Sequence, residues 1–310
     1  MGGLSGPALG ASAGPLPGEG AASIARDWLQ GYSAEVTTPD RKSLDAAAEL
    51  MWPQAPVYVA SLPKDSSEAQ LAVAARLNEL GLRPVPHVVA RNFASEAAFA
   101  RAIERFAREA GVDRALVLAG DRQTSEGPFE CSLQLIRSGV FEANGIRKIA
   151  IACYPEGHPR ISDATLDKAL MDKLEAADRA DLEVRLITQL CFDSEPIAAF
   201  VGKLRARGIA ARLRVGLAGP ASPARLLKYA AICGVGPSLR ALRERQSMTR
   251  GLLTTQTPER IVAGLAQAAA RDPGLDITGL HFFTFASLRH TIEWAREALA
   301  GDPARWEASQ

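Results

Sequence analysis

The sequence lacks the features that mark several large functional classes. It has no surplus of either charge: 36 basic side chains stand against 35 acidic ones, for a formal net charge of +1. Without a basic excess there is no electrostatic footprint for nucleic acid or an anionic membrane, so neither partner is expected. No apolar run approaches the roughly 18 residues that a membrane-spanning helix needs. Cysteine is scarce: Cys131, Cys153, Cys191 and Cys233 lie far apart, with no C-x-x-C pair among them. That argues against a zinc knuckle or a disulfide framework and for a reduced, cytoplasmic protein without structural metal. Cys153 and Cys191 fall in apolar, strand-like runs, where a thiol acts as a small hydrophobe. Also missing are G-x-x-x-x-G-K-[ST], H-E-x-x-H and a Ser/His/Asp spacing. The glycines near the N-terminus follow no strand, so there is no dinucleotide-binding fingerprint. Residues 1–20 are rich in Gly, Ala and Pro, with neither a basic start nor a continuous apolar stretch. They read as a flexible tail and not as a signal peptide.

What the chain does have is apolar material in a regular arrangement. Hydrophobic residues make up 47%, enough for a large core, and residues 21–310 suit one barrel-sized domain. Short runs at 57–62, 85–90, 115–119, 149–153, 185–191 and 212–217 are apolar almost throughout. Strands covered on both faces have that character. Runs at 32–37 and 280–285 bring the number to about eight.

Amphipathic stretches lie between the runs. Phe99, Ala102, Ile103, Phe106 and Ala110 share one face, and Leu288, Ile292, Ala295 and Leu299 repeat the spacing. Ser66, Ser95 and Ser194 stand where helices begin, and Gly81, Gly111, Gly145 and Gly208 where they end. Eight strand–helix units predict an α/β fold, a (β/α)8 TIM barrel. Extra helices are expected between strands seven and eight, around 223–233, 237–246 and 258–270.

In such barrels the catalytic groups come from the C-terminal strand ends. Those positions carry Glu35, His87, Asp121 after Gly120, the turn Tyr154-Pro155-Glu156-Gly157-His158-Pro159, Thr188-Gln189, His281 and Thr284. Polar groups in apolar strands are costly unless paired, so their coincidence at one barrel end suggests a site for acid–base and hydride chemistry. His281 and His290 read as structural.

These residues, in this order, resemble the methylenetetrahydrofolate reductase family. The resemblance rests on Ser33-Ala34-Glu35, Pro86-His87, Gly120-Asp121, the Tyr154–Pro159 turn, Ile187-Thr188-Gln189 and His281-Phe282-Phe283-Thr284-Phe285, and covers nearly the whole chain after about Trp28. It implies reduction of 5,10-methylenetetrahydrofolate to 5-methyltetrahydrofolate, or the reverse oxidation in one-carbon catabolism. The reductant would be NADH or NADPH, and the hydride would pass through FAD in a ping-pong cycle. By the resemblance Glu35 is the general acid that protonates folate N10, and Asp121 the acid near flavin and pterin. Gln189 and Phe285 contact substrate, and His87, Gly120, Asp121, Tyr154, Glu156, His158 and Lys173 contact FAD. No metal is implied, the partners are small molecules, and a homo-oligomer is left open.

The chain also departs from the family. Ala119 replaces an arginine, Ala60 or Ser61 replaces a flavin-binding threonine, and Ser287 stands where an arginine often follows the last strand. Two other readings therefore stay open: a flavin-independent reductase of the same folate, and a non-redox folate-binding protein of one-carbon transfer. An unrelated barrel lyase would want a Schiff-base lysine or a metal-ligand set at the strand ends, and neither is found.

Overall fold

A computed structural model describes residues 20–38, 41–61, 66–233, 257–285 and 287–307. Eight strands, β1 Ser33–Val36, β2 Pro56–Val59, β3 Arg83–Val89, β4 Arg114–Leu118, β5 Lys148–Cys153, β6 Glu183–Thr188, β7 Arg212–Ala218 and β8 Ile277–Phe283, pair in sequence order. All neighbours are parallel, and β8 returns to β1 through Ser33↔His281 and Ala34↔Phe282, closing the barrel. Side-chain alternation divides each strand between two cores. Ala34, Val57, Val88, Val117, Ile151, Leu186, Leu217 and Phe282 join the large outer core against the helices. Tyr58, Val85, Leu116, Ala150 and Ile187 form a separate cluster, which is the barrel interior.

The helices follow from local signals. α1 Ala21–Gln30 precedes β1 and α2 Arg41–Leu50 follows it. α3 Ser67–Glu79 and α4 Glu96–Ala110 begin as expected, with Ser66 and Ser95 accepting from the amides of Ala69 and Ala98. Gly81, Gly111, Gly145 and Gly208 all hold φ between 59° and 76°, the left-handed turn that ends a helix before the next strand. Two short helices, α5 Ser132–Arg137 and α6 Val140–Ala143, join β4 to β5. α7 Asp163–Arg179 follows β5 and α8 Ser194–Ala206 follows β6. α9 Pro223–Cys233 and α10 Glu259–Arg271 lie between β7 and β8, and α11 Leu288–Ala300 follows β8. None of the helices among the described residues is long and apolar enough to cross a membrane. The tail expected over 1–20, except Gly20, and the helix expected at 237–246 lie outside the described residues.

Several details differ from the sequence reading; among them, β2 ends at Val59 and not at 62, and β8 at Phe283 and not at 285. β6 stops at Thr188, three residues short of Cys191. Thr188 Oγ1 donates to the Gln189 carbonyl and accepts from Gly216 N–H at 2.8 Å, turning the chain out of the sheet, so buried Cys191 lies beyond the strand. β8 starts at Ile277 and not at 280, because Thr278 and Gly279 interrupt the apolar pattern at a register shift. The cap of α8 is Asp193, which accepts from Glu195 N–H, and Ser194 is already helical. Ala102, on the expected apolar face of α4, is only half-buried.

Two arrangements fix the strand ends that matter below. Phe99 meets Phe93, Phe129 and Phe141 edge-on at 5.1, 5.4 and 5.6 Å, anchoring the loop after β4. Arg91 ties the same loop from the end of β3, donating to the carbonyls of Arg122 at 2.7 Å and Glu130 at 2.9 Å. Gly216 lets β7 approach β6 closely, since a Cβ there would lie 2.2 Å from Thr188 O and 2.7 Å from the Phe283 ring. Gly216→Ala should therefore destabilise the fold by roughly 1–3 kcal/mol, the usual cost of overpacking. Urea unfolding measures this, and an unchanged midpoint would mean that the β6–β7 gap widens freely.

Candidate active site

Buried polar atoms without a partner are rare in folded proteins, and each calls for an explanation. Eight occur among the described residues, and seven lie at the two ends of the barrel. Five are at the C-terminal end: Glu35 Oε2, Thr38 Oγ1, His87 Nε2, Gln189 Nε2 and His281 Nε2. Three of these five belong to one cluster. Glu35 points inward from β1, its Oε2 lying 3.3 Å from His87 Nε2 on β3 and 3.9 Å from His281 Nε2 on β8. His87 is nearly buried and His281 fully so. Ser33 Oγ lies 3.0 Å from His281 Nδ1, and Tyr58 packs edge-on against both imidazoles.

The backbone holds the cluster in place. Thr284 donates to Glu35 O at 2.6 Å, and Gln70, buried on α3, donates to the carbonyls of Val59 and His87.

Burial dominates the electrostatics of this group. It raises the Glu35 carboxyl above the ordinary carboxylate range, with His87 opposing weakly. It lowers His87, with Glu35 opposing and His281 reinforcing. It pushes His281 down to about 3, helped by the positive charge of Arg214. Both partners of each contact are thus driven toward their neutral forms. Burial favours a carboxyl that keeps its proton more readily than an ordinary glutamate, beside two imidazoles inclined to stay neutral.

The other expected residues gather over β4, β5 and β6. Gly120, with φ of 100°, has no room for a side chain, since a Cβ would meet Val89 Cγ1 at 2.4 Å. Asp121 follows, exposed on the loop held by Arg91. Its charge reaches both Tyr154, which burial pushes up to about 12, and His158, which burial lowers. The two rings lie 5.7 Å apart, edge to face. Glu156 is half-buried in the same turn. Gln189 stands at the end of β6, its backbone N–H donating to Cys153 O at 2.8 Å.

Lys173, on α7, is half-buried, and burial lowers its ammonium. The thiols Cys131 and Cys153 stand near it, and among the described residues no carboxylate lies within ion-pair reach. Phe285 packs on a small cluster with Leu190, Phe192, Ala218 and Leu226, its backbone in the left-handed region at φ 50°.

The departures have spatial consequences. Near Ala119, Arg91 is spent on loop carbonyls, and Arg122 on Asn92 and Glu126. At Ser287, however, Arg225 of α9 donates to Ser287 Oγ at 2.6 Å and to Phe285 O, so a guanidinium stands there after all. His281, expected to be structural, belongs to the Glu35 cluster. His290 is exposed on α11. Sequence reasoning missed Gln70, whose one signal is an amide in line with buried Ala74 and Leu77.

The fold is a closed parallel barrel with a buried carboxyl–imidazole cluster at its C-terminal end. The family model for methylenetetrahydrofolate reductase matches residues 32–239, and the chain belongs to that family. Methylenetetrahydrofolate reductase (NADH) 1 of Arabidopsis thaliana is 24% identical over 234 residues, 71% of this chain. The match covers 36% of that relative's length, so the chain spans about a third of it. Solved structures of dihydropteroate synthase from Thermus thermophilus and 3-dehydroquinate dehydratase from Geobacillus kaustophilus are 15% and 14% identical. Their TM-scores are 0.46 and 0.43; each covers 87% of this chain, and 90% and 89% of its own length is matched.

The low value of His281 carries a stability prediction. Between about pH 6.5 and about pH 3 the unfolded chain binds a proton on this residue that the folded chain does not. Its contribution is complete above that window and is lost as the pH falls through it. Over an interval such as about pH 7 to 4.5, urea unfolding should show the wild type losing more stability than His281→Gln. Equal losses would contradict a neutral, buried His281.

Proposed function

We propose that the chain reduces 5,10-methylenetetrahydrofolate to 5-methyltetrahydrofolate with NADH or NADPH, Glu35 serving as general acid. The observation that carries this reading is the Glu35–His87–His281 cluster, in which burial at the C-terminal barrel end raises the carboxyl above its ordinary range. Family membership and the NADH-dependent relative support it.

The chemistry follows from the groups present. Protonation of folate N10 by the Glu35 carboxyl opens the imidazolidine ring and leaves a cationic N5 iminium. Hydride addition to its exocyclic carbon then gives the methyl group, and Glu35 is left as a carboxylate beside His87. The negative charge of Asp121 favours the cation. The Gln189 amide, whose Nε2 is buried without a partner, has a donor and an acceptor to offer the pterin ring. Phe285 offers an apolar surface to a flat ring.

The residues also fit FAD. Among the described residues Lys173 is a half-buried cation with no carboxylate partner, which suits a diphosphate, and Gly120, just after β4, would be a backbone contact. His87, Tyr154, Glu156 and His158 would complete that site. When bound, FAD would supply the hydride carrier that separates the nicotinamide and folate half-reactions. Ala60 and Ala119 offer no polar side chain to a flavin, so weak retention through purification is expected.

The test is an absorbance spectrum of the FAD-supplemented protein, followed under anaerobic conditions by NADH and then methylenetetrahydrofolate. Flavin bands that bleach and then return support the reading. A protein that takes up no flavin yet oxidises NADH with the folate would replace it with direct hydride transfer, and no turnover at all would leave only folate binding. Glu35→Gln should slow reoxidation by the folate by about 10²-fold or more while leaving reduction by NADH nearly unchanged. Equal loss of both half-reactions would remove Glu35 from the acid's role. In the wild type, folate reduction should fall as pH rises through the elevated value of Glu35, since only the protonated carboxyl can donate.

A further inference from the structure

Phe285 is held in a backbone conformation that its residue type resists. It comes second in a four-residue turn, closed by Ser287 N–H donating to Thr284 O at 2.9 Å, and its φ is 50°. A positive φ at that position favours Gly, Asn or Asp, because a Cβ crowds the adjoining backbone. Such strain persists only where the surroundings over-determine it.

The turn is held from three sides. Before it, buried Thr284 donates to Glu35 O at 2.6 Å. Within it, the Phe285 ring packs with Leu190, Phe192, Ala218 and Leu226 at the barrel mouth. After it, Arg225 of α9 donates through Nη1 to Ser287 Oγ at 2.6 Å and to Phe285 O at 3.3 Å. The first two holds are buried, whereas Arg225 is exposed.

Arg225 reaches the turn by a short path from β7. Just past that strand, Gly219 N–H donates to Phe283 O at 3.0 Å, which sets the exits of β7 and β8 side by side. The approach is close, since a Cβ at Gly219 would meet Thr291 Oγ1 at 2.2 Å. Ser222 then accepts from Arg225 N–H at 3.4 Å as α9 begins. Among the described residues the guanidinium makes no polar contact besides Ser287 Oγ and Phe285 O. Its donors are thus committed to the turn and not to a carboxylate.

We propose that Arg225 is a positioning residue: it latches the strained turn and so keeps the Phe285 ring at the barrel mouth, against the flat ring of the substrate. The proposal rests on the reading above, in which Phe285 contacts substrate. Without the latch φ relaxes to negative values, which turns the Cα–Cβ bond of Phe285 and carries the ring out of its cluster. Thr284 and its bond to Glu35 O precede that rotation in the chain, so the acid stays in place. Loss of Arg225 therefore weakens substrate binding more than it slows the chemical step.

The test joins hydrogen exchange to kinetics on the purified full chain. Exchange at the Ser287 amide reports the turn directly, whether or not folate turns over. Arg225→Met should speed it by about 10-fold, the scale of one hydrogen bond to a charged group. Phe285→Gly relieves the strain, so Arg225→Met added to that variant should speed exchange by less than about 3-fold. In turnover, Arg225→Met should raise KM for methylenetetrahydrofolate about 5-fold and lower kcat by less than about 2-fold, the pattern of lost uniform binding. Arg225→Lys, which keeps one donor for Ser287 Oγ, should recover part of both effects. Unchanged exchange in Arg225→Met, or equal acceleration in the Phe285→Gly background, would overturn the latch. Faster exchange with an unchanged KM would overturn its role in positioning. A wild type that turns over no folate fails the reductase reading instead, and the exchange comparison still decides the latch.

Discussion

The structure turns on one buried contact, the Glu35 carboxyl against the His87 and His281 imidazoles. A carboxylate there would be stabilised only if an imidazole took a proton, and burial opposes charge on all three groups. All three groups are therefore driven toward their neutral forms, and in the proposed reaction that would leave Glu35 the proton it donates. Every element around the cluster serves to hold these three side chains inside a closed barrel. Gln70 ties β2 to β3, Thr284 ties β8 to β1, and the Ser33↔His281 pairing closes the ring.

The proposed reaction also calls for a charge that favours a cation, and the loop after β4 carries a second carboxyl, Asp121. Asp121 is exposed on a loop clamped by Arg91 and the Phe99 cluster. One carboxyl group is thus buried and the other solvated. That division suits one to donate a proton and the other to stabilise a cation.

Much of the barrel was legible in the sequence because parallel strands covered on both faces leave continuous apolar runs. The glycines at 81, 111, 145 and 208 and the caps Ser66 and Ser95 are equally local signals. Glu35, His87 and Asp121 stood out because each is polar at the end of an apolar run. The contact of His281 with Glu35 was beyond local reading, because it depends on the β8–β1 closure, a pairing 248 residues apart. The start of β8 was hidden by Thr278 and Gly279, which break the apolar pattern where the register shifts. Arg185 and Arg214 were absorbed into runs that looked uniformly apolar, and only the division into inner and outer cores shows that they face inward. Arg225 at Ser287 was likewise beyond local reading, since the two residues lie on different elements.

The protonation state of Glu35 in the ligand-free protein is the claim on which the rest depends. A ¹³C NMR titration of its side-chain carboxyl, assigned by comparison with Glu35→Gln, measures it directly. The account predicts a midpoint above the ordinary glutamate value, with the His87 and His281 rings still neutral while Glu35 is protonated. A carboxylate that ionises at or below the ordinary value, paired with an imidazolium at His87, would contradict it.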